Sequence, residues 1–417
     1  MMSTSANPAA EWRKFWFLPI AAAFGYSTAV LHTYCIGAFM APLHQEFGWS
    51  RAQISIGITI AGLAGAVFSV PIGLLVDRLG PRVVGLIGVL LMTGSFALLG
   101  TATGSTANWL VLWSLVAFSN LWLQATVWTS AVASRFEASR GLAFGITLSG
   151  ASIAAAIFPV LATWLINSQG WRTAFMAMGA IWAALVFPIM LLFFRGARDV
   201  GRREHAPAPV ETNVATGMSV AEGLRSPDFY KLLLASGLFT FTALGIIVHL
   251  VPILTDRGAD PLAAAGIASL VGIFSLFGRL GTGLLLDRFP GYLVGAGVFL
   301  LPIIACALLY FDGANQLSQA IAAAIFGLTV GAEVDVIAYL VARHFGLKNF
   351  GVFSGAMVGA LALGVALGPL GAGAAFDRNG SYAEFLVLSM AFMAVSSIAL
   401  ATLSRPRFGT LAHAEAS

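Results

Sequence analysis

Charged side chains are scarce in this chain. Only 10% of its 417 residues are Asp, Glu, Lys or Arg, whereas 59% are apolar and the mean hydropathy is +0.88. Soluble globular proteins carry roughly 25% charged residues, so this chain cannot cover a water-exposed surface with polar groups. The composition therefore excludes a water-soluble enzyme and indicates a protein that lies in a lipid bilayer.

Cysteine and concentrated positive charge are also sparse. The two cysteines, Cys35 and Cys306, both lie in apolar runs. Two cysteines are too few for a disulfide framework, and their spacing does not suit a metal site. We expect two small buried side chains, and neither a metal nor another cofactor. The net charge is only +4 and the basic residues are spread over short loops, so nucleic acid is not an expected partner.

The N-terminal segment does not fit a cleavable secretory signal. Residues 1–14 are polar and end in Arg13 and Lys14. The apolar run that follows, from Phe15 to about Met40, is too long for the apolar core of a signal peptide. We expect it to be the first transmembrane helix.

Twelve apolar stretches are long enough to cross a bilayer, which takes about 20 residues in a helix. Because lipid offers no partners to backbone polar groups, each stretch is predicted to be an α-helix. In chain order, these predicted spans 1 to 12 cover residues 15–40, 52–76, 83–102, 109–134, 141–167, 173–194, 232–254, 263–286, 291–311, 315–342, 350–376 and 385–403.

The basic residues predict the orientation. With the N-terminus in the cytoplasm, seventeen of the 22 Lys and Arg residues fall on the cytoplasmic side, four outside, and Arg279 inside a span. The positive-inside rule therefore favours cytoplasmic N- and C-termini and a multi-pass protein of the cell (inner) membrane. The cytoplasmic set is Arg13, Lys14, Arg78, Arg82, Arg135, Arg140, Arg195, Arg198, Arg202, Arg203, Arg225, Lys231, Arg288, Arg343, Lys348, Arg405 and Arg407; the outer set is Arg51, Arg172, Arg257 and Arg378.

A long polar connection divides the spans into two sets of six. It contains Pro207, Pro209 and Pro227 and reads as a solvated linker. Near its end, Ser219 and Glu222 have the spacing that caps a short helix, and Ser226 with Pro227 suits the start of span 7. We predict a cytoplasmic tail (1–14), a six-helix bundle (15–194), the linker (195–228), a second six-helix bundle (229–403) and a cytoplasmic tail (404–417).

The two halves match in sequence at one constant offset. Six matches in register indicate an internal duplication, and repeats with substrate bound at their interface are a transporter architecture. The pairs, each 210 residues apart, are Pro42 with Pro252, 73–78 with 283–288, Gly145 with Gly355, Pro159 with Pro369, Gly170 with Gly380, and Phe175 with Phe385.

The loop after span 2 carries a known family signature. Its sequence from Gly73 to Arg82, GLLVDRLGPR, resembles that of the major facilitator superfamily, and a degenerate copy follows span 8. The resemblance covers essentially the whole chain and implies an all-α membrane fold of twelve helices in two pseudo-symmetric six-helix bundles. It also implies a latch that holds the cytoplasmic side closed, formed by Gly73, Asp77, Arg78, Arg82, Asp287 and Arg288.

Few ionisable side chains lie inside the spans, and such groups usually line a cavity because their burial in lipid is costly. They are Arg279, Glu333, Asp335, His32 and His249. Arg279 lies eight residues before Asp287, hence about 12 Å from the cytoplasmic end of its helix. Its planar guanidinium matches a carboxylate in two parallel hydrogen bonds, although a structural ion pair with Glu333 or Asp335 is the alternative.

Span 8 also resembles that of the monocarboxylate porters, which hold the substrate carboxylate on an arginine ahead of the Gly-x-Leu-x-Asp-Arg ending. The chain departs from their mammalian members at two positions linked to proton coupling, having His32 in place of a lysine and Ser275 in place of an aspartate. The resemblance to bacterial porters implies site roles for His249 and Asn120, and it favours a site role for Tyr339 in span 10.

Further polar and aromatic residues complete the predicted site. Asn120 and Gln124 are one helical turn apart and should share a face, while interhelical hydrogen bonding is the alternative role. Tyr34 and Trp122 are candidates to shape an apolar pocket. Many aromatic side chains lie in the spans, among them Tyr26, Tyr34, Trp113, Trp122 and Trp128, and most are expected to face lipid or the interface.

Glu333 and Asp335 are too close in sequence to form a carboxylate dyad on one helix face, so at most one should face the central cavity. The other is expected to pair with a basic residue or with the backbone of span 11. Together with His249 and His32, these carboxylates are the candidates to carry a coupling proton, since histidine titrates near neutral pH.

These observations predict a secondary active transporter for a small organic monocarboxylate. It would be a proton-coupled symporter that works by alternating access, as a monomer, with the substrate between the two bundles. An oxalate- or formate-like anion exchanger is an alternative, although span 11 lacks the second cation of oxalate exchangers. A proton-driven drug or metabolite exporter is another, although Pro159 follows Phe158 rather than glycine. An intramembrane prenyl transferase would need aspartate-rich loops, and a receptor would need an added soluble domain.

Overall fold

The computed structural model describes residues 8–197, 217–406 and 408, apart from the side chains of Ser69, Val70, Gly73 and Asp77. Within this part of the chain, eleven helices are long and apolar enough to cross a membrane, and a bent pair, in which the polar Pro8–Phe15 precedes the apolar Phe17–Phe47, brings the number of spans to twelve when it is counted as one. The prediction of an all-α membrane fold with twelve spans is confirmed. The helices form because the backbone groups of an apolar segment find hydrogen-bond partners in lipid only within the segment itself.

The described residues fall into two compact units, within Met1–Ala206 and Pro207–Ser417. The finer predicted limits of bundles, linker and tails stay predictions. The first unit contains α1 (Pro8–Phe15), α2 (Phe17–Ala29), α3 (Leu31–Phe47), α4 (Arg51–Leu79), α5 (Pro81–Leu98), a 3₁₀ turn (Leu99–Thr101), α6 (Thr106–Leu121), α7 (Ala125–Ala133), α8 (Arg140–Leu148), α9 (Gly150–Gln169) and α10 (Trp171–Phe193). The second contains α11 (Val220–Arg225), α12 (Pro227–Thr255), α13 (Pro261–Arg288), α14 (Gly291–Phe311), α15 (Gln316–Phe345), α16 (Phe350–Asn379) and α17 (Ala383–Ala401).

Each unit packs its spans in the same pairs. The first span lies against the fifth, the second against the fourth, and the third against the sixth. In the first unit these pairs are α2 and α3 with α9, α4 with α6, and α5 with α10; in the second they are α12 with α16, α13 with α15, and α14 with α17. The sequence repeat is therefore a repeat of packing.

Helix ends follow local sequence signals. The Ser219 side chain accepts from the backbone N–H of Glu222, and the Glu222 carboxylate accepts from the backbone N–H of Ser219. The predicted cap of a short helix, α11, is therefore confirmed. Pro227 is the first residue of α12, as predicted from its position after Ser226. The repeated pair Gly170 and Gly380 follows α9 and α16 with φ values of 79° and 63°, a left-handed backbone that favours glycine.

Span 1 begins later than predicted and is broken. Phe15 belongs to α1, which meets Phe17–Phe47 at a bend of 61°. A second interruption separates α2 from α3 at Val30, whose φ of −103° and ψ of 6° leave the helical region. The hydroxyls of Ser27 and Thr28 both donate to the Phe24 carbonyl, at 2.5 and 3.4 Å, and this kind of back-bonding bends helices.

Span 4 is interrupted as well, whereas span 5 has only a one-residue irregularity at Ser149, whose φ of −63° and ψ of −13° stay helical. Between α6 and α7 the chain makes two tight i to i+3 bonds and then extends, with ψ of 147° at Gln124. Between α8 and α9 the Ser149 hydroxyl donates to the Gly145 carbonyl at 2.7 Å. The next residue, Gly150, packs so closely on α2 that a Cβ there would collide with the Ala23 carbonyl. The backbone thus leaves the helical conformation in spans 1 and 4 of the first unit, at Val30 and at Gln124.

Candidate functional site

Glycines bring α13 and α15 into backbone contact. A Cβ added at Gly278 would collide with the Leu328 carbonyl, and one added at Gly331 would collide with the Ser275 carbonyl. Small residues allow this close approach of membrane helices. The contact fixes how the two helices are rotated against each other, and so it determines which side chains meet across them.

Arg279 meets Asp335 across this helix pair. The Nη1 atom of Arg279 lies 3.4 Å from each carboxylate oxygen, and the two side chains are 17% and 36% exposed. Charge-assisted bonds are typically about 2.7–2.9 Å long, so this ion pair is loose. Nothing in the described part of the chain hydrogen-bonds the buried Nε atom. The ion pair with Asp335 therefore leaves one donor of the guanidinium unused.

Glu333 points away from this pair, as its spacing predicted, but its partner is neither a basic residue nor the span 11 backbone. The Thr240 hydroxyl of α12 lies 2.5 Å from Glu333 Oε1 and 2.9 Å from the Ser236 carbonyl. One hydroxyl hydrogen cannot serve two acceptors. A proton on Glu333 would let both contacts be made at once.

His249 is fully buried and tied to two helices of its own unit. Its Nε2 lies 2.9 Å from the Pro369 carbonyl of α16, and its Nδ1 lies 2.8 Å from the Tyr382 hydroxyl just before α17. A carbonyl only accepts, so Nε2 carries the hydrogen and, in the neutral ring, Nδ1 accepts from the tyrosine. Both nitrogens thus have protein partners in this structure, and a role for His249 in substrate or proton binding stays a prediction.

Tyr339 lies one turn beyond Asp335 on α15 and is half-buried. The Arg343 guanidinium carbon sits 5.4 Å from the centroid of its ring, and Gly291 at the start of α14 packs against the same ring. The structure therefore places Tyr339 beside Arg343. Its contact with a substrate stays a prediction.

His32 follows directly after the break in span 1. The side chain is 4% exposed, and its ring stands edge-on to Trp113 with centroids 6.0 Å apart. Within the described residues, the buried Nδ1 atom has no hydrogen-bond partner. Tyr34, two residues later on α3, is half-buried.

The prediction that Asn120 and Gln124 share a helical face is wrong. Asn120 lies in the last turn of α6, whereas Gln124 lies in the extended backbone that precedes α7. The break turns these side chains out of a common helical register, since the four-residue rule holds only within a continuous helix. Trp122 lies in the break itself, half-buried.

Trp113 and Trp128 are exceptions to the expectation that most aromatic side chains in the spans face lipid or the interface, because both are fully buried. Glycines on neighbouring helices make room for them: the Trp113 ring covers Gly57 and the Trp128 ring covers Gly25. The two cysteines, by contrast, are buried as predicted.

The predicted latch is only partly described. The side chains at Gly73 and Asp77 lie outside the described residues, and Arg78 is exposed at the end of α4. The Nη2 atom of Arg82 donates to the Leu191 carbonyl in the last turn of α10 at 2.7 Å, and its part in the latch stays a prediction. That carbonyl lies at the negative end of the helix dipole. Asp287 and Arg288 are exposed at the end of α13.

Sequence reasoning missed Thr240 and Tyr382. Each contacts a predicted site residue, but the partners lie 93 and 133 residues away in the chain. A threonine in a span and a tyrosine in a loop carry no pattern that indicates such a contact.

Comparison with known proteins adds the family. The family model of the Major Facilitator Superfamily matches residues 22–369. The chain is 27% identical over 408 residues to Monocarboxylate transporter 13 of Rattus norvegicus, covering 97% of this chain and 91% of that protein. It is 26% identical to MFS-type transporter 1 of Ophiocordyceps sp. (strain BCC 1869), covering 84% and 76%.

A solved structure of a D-xylose-proton symporter is similar in fold, with a TM-score of 0.73 at 13% identity, over 94% of this chain and 98% of that one. With the twelve spans and the repeated packing, these matches rule out the reading as an intramembrane enzyme. The chain belongs to the Major Facilitator Superfamily and is a multi-pass secondary transporter.

Proposed function

We propose that this transporter carries a small organic monocarboxylate, whose carboxylate binds the Arg279 guanidinium. The observation that carries the proposal is the loose ion pair of Arg279 with Asp335 deep in span 8. A buried arginine in a membrane helix needs an anionic partner. Because Asp335 is held at only 3.4 Å, a substrate carboxylate that bonds the guanidinium more closely can displace it. The relative named Monocarboxylate transporter 13 supports the same substrate class.

Proton symport follows from the same charges. When a substrate carboxylate takes the guanidinium, Asp335 loses its counter-charge, and a proton restores neutrality. Glu333 offers a second proton site, because a protonated Glu333 satisfies the Thr240 hydroxyl and the Ser236 carbonyl together. We propose that one of these carboxylates takes up the coupling proton.

The proposed setting is the cell (inner) membrane, with both termini in the cytoplasm and the monomer as the working unit. The distribution of Lys and Arg supports the orientation.

Uptake by proteoliposomes tests the proposal. A panel of labelled monocarboxylates is offered with and without an inward proton gradient, and the gradient should accelerate uptake of at least one of them. Arg279→Lys keeps the charge but loses the planar fork, so uptake at low substrate should fall about 10- to 100-fold. Arg279→Ala should abolish it.

Arg378→Lys is the matched control. Arg378 also pairs with a carboxylate, Glu384, at 3.2 Å, but it is 67% exposed. Its replacement should leave uptake unchanged. Normal affinity and rate in Arg279→Ala would overturn the site. Uptake that requires an anion inside the vesicles would indicate an exchanger. Extrusion of the substrate driven by protons moving in the opposite direction would indicate a proton-driven exporter.

A further inference from the structure

The chain beyond α17 is fastened to two other helices of the second unit through Ser404. In the first turn of α12, the Asp228 carboxylate accepts from the backbone N–H of Ser404 at 3.2 Å and also accepts from the Ser404 hydroxyl. In the last turn of α15, the Nε2 atom of His344 lies 3.0 Å from the Ser404 carbonyl. Every polar group of Ser404 is thus used to join α12 to α15.

Two further contacts hold the same part of the chain. The Lys231 ammonium of α12 donates to the Thr402 carbonyl at 2.5 Å. The backbone N–H of Phe408 donates to the Arg343 carbonyl of α15 at 3.1 Å, and the Phe408 side chain packs against the core of the unit. Residues 402–406 and 408 therefore form a clasp across the start of α12 and the end of α15.

Both ring nitrogens of His344 face hydrogen-bond acceptors. Nδ1 lies 2.9 Å from the Leu340 carbonyl, and Nε2 lies 3.0 Å from the Ser404 carbonyl. A carbonyl oxygen only accepts, and a neutral imidazole carries a single N–H. Only the imidazolium, with a hydrogen on each nitrogen, makes both bonds.

The surroundings of His344 suit a positive charge. The side chain is 3% exposed, and a buried cation needs compensation. His344 lies in the last turn of α15, at the negative end of the helix dipole. Asp228, itself buried, holds the opposite side of Ser404, so that a chain of bonds runs from the ring through the serine to a carboxylate.

His344 is the group at this end of the described unit that changes charge near neutral pH. Lysine, arginine and tyrosine ordinarily titrate well above pH 8, and carboxyl groups well below pH 6. The acids are Asp228 and Glu222, and Glu222 caps its own helix, α11. The cations and phenols are Lys231 on α12, Tyr292 on α14, Tyr339 and Arg343 on α15, Lys348 before α16 and Arg405 beside Ser404.

We propose that His344 is a pH-sensitive switch, which closes the clasp when its ring is protonated and loosens it when the ring is neutral. Histidine ordinarily changes charge between pH 5 and 8. In either neutral tautomer, one bare nitrogen faces a carbonyl oxygen at 2.9 or 3.0 Å, so the ring or Ser404 has to move.

The switch sets how firmly the start of α12 and the end of α15 are held together. The contacts of Lys231 and Phe408 do not use this proton, so they keep the loosened clasp close to its place and make closing reversible. The proposal goes beyond the substrate assignment and does not depend on it.

Amide hydrogen exchange of the full chain in lipid nanodiscs, without substrate, tests the proposal at pH 6 and pH 8. The reporter is the Ser404 N–H, which donates to Asp228. After correction for intrinsic exchange, the protection of residues 403–405 should fall about tenfold between pH 6 and pH 8, the effect of losing a bond from a charged donor. In His344→Gln, protection should be equally low at both pH values.

His44→Gln is the matched control. The Nδ1 atom of His44 lies 2.8 Å from the Trp49 carbonyl, an acceptor that a neutral ring satisfies. This variant should keep the full pH dependence of residues 403–405.

Three results would overturn the switch: equal protection of residues 403–405 at pH 6 and pH 8 in the wild type, an equal loss throughout the second unit, or a pH dependence that persists in His344→Gln. The first two are read from the wild type alone, so they decide even where His344→Gln does not fold. Because exchange is measured without substrate, each result leaves the monocarboxylate assignment untouched.

Discussion

Gly331 of α15 lies in direct backbone contact with Ser275 of α13, so that even a single methyl group at Gly331 would collide with the Ser275 carbonyl. The contact sets the distance between the helices that carry Asp335 and Arg279. Gly331→Ala should force the helices apart, lower stability by about 1–3 kcal/mol and reduce transport. The melting temperature in detergent measures the first effect and proteoliposome uptake the second.

Gly281→Ala is the control for that prediction. Gly281 is also in α13, and a Cβ there meets nothing within 4 Å. Because alanine has the higher helix propensity, this variant should be as stable as the wild type or more stable, by up to about 1 kcal/mol. Equal melting temperatures for the two variants would contradict the importance of the contact.

Asp335 competes with the proposed substrate for Arg279. In Asp335→Asn the internal anion is lost, so the half-saturation concentration for the monocarboxylate should fall about tenfold, equivalent to about 1.4 kcal/mol. Acceleration by a proton gradient should weaken in the same variant. Glu333→Gln, which leaves the pair of Arg279 and Asp335 in place, should not tighten binding. Weaker binding in Asp335→Asn would show that the ion pair shapes the site and does not compete for it.

His249 and Tyr382 act as one unit in the structure, since the tyrosine hydroxyl reaches the ring nitrogen at 2.8 Å. Residues that share a hydrogen bond show coupled effects when both are replaced. His249→Gln and Tyr382→Phe should each lower the melting temperature, and the double variant should lose less than the two losses combined. Additive losses would show that the contact contributes little. Uptake measured across pH in the single variants then tests whether His249 also carries a coupling proton.

The indole of Trp128 stabilises the break in span 4. Trp128→Phe keeps a ring over Gly25 but leaves the Leu123 carbonyl without its donor, at a cost of about 1–3 kcal/mol. Thermal unfolding in detergent measures this loss. Trp164→Phe is the matched control, because Trp164 is 52% exposed and its change should stay within about 0.5 kcal/mol. Equal melting temperatures in the two variants would remove Trp128 from this role.

Glu11 lies ahead of the first membrane-spanning helix, and its pKa is lowered from 4.5 to about 2, chiefly by the Ala138 N–H. Partial desolvation opposes this shift, and the donors on Glu137 and Ser139 support it. A lowered pKa means that the contact of the Glu11 carboxylate with the loop 137–139 contributes its full stability above pH 4.5. That stability is lost as the pH falls toward 2. Protection of amides 134–139, corrected for intrinsic exchange, should therefore be the same at pH 7 and pH 5. Release of the loop near pH 6 would contradict this assignment.

The sequence predicted the spans well because apolar length is a direct requirement of the bilayer. It did not reveal the breaks at Val30 and 122–124, since the apolar runs continue through them. Ser27 and Thr28 bond back to a helix carbonyl beside the first of these breaks, but such residues are also common in unbroken membrane helices. The four-residue spacing of Asn120 and Gln124 predicted a shared helical face because the sequence did not reveal the break between them.

The ionisable residues within the spans could be found from sequence, but their partners could not. Whether Arg279 meets Glu333 or Asp335 depends on how α13 is rotated against α15, and the close packing at Gly278 and Gly331 decides it. A glycine pattern on both helices was the available signal. For His249 there was no comparable signal, because Tyr382 lies 133 residues away outside any helix.

The matching positions of α1 and α11 bear on the origin of the chain. Shifted by 210 residues, Pro8–Phe15 would fall on 218–225, which includes all of Val220–Arg225. The internal repeat therefore extends ahead of the first membrane crossing of each unit and includes this short helix. Each helix or its flank is bonded to the loop after the fourth span of its own unit, α1 by the Glu11 carboxylate, and Met218, the residue before Ser219 and α11, by one main-chain bond and one bond from the Asn349 side-chain amide.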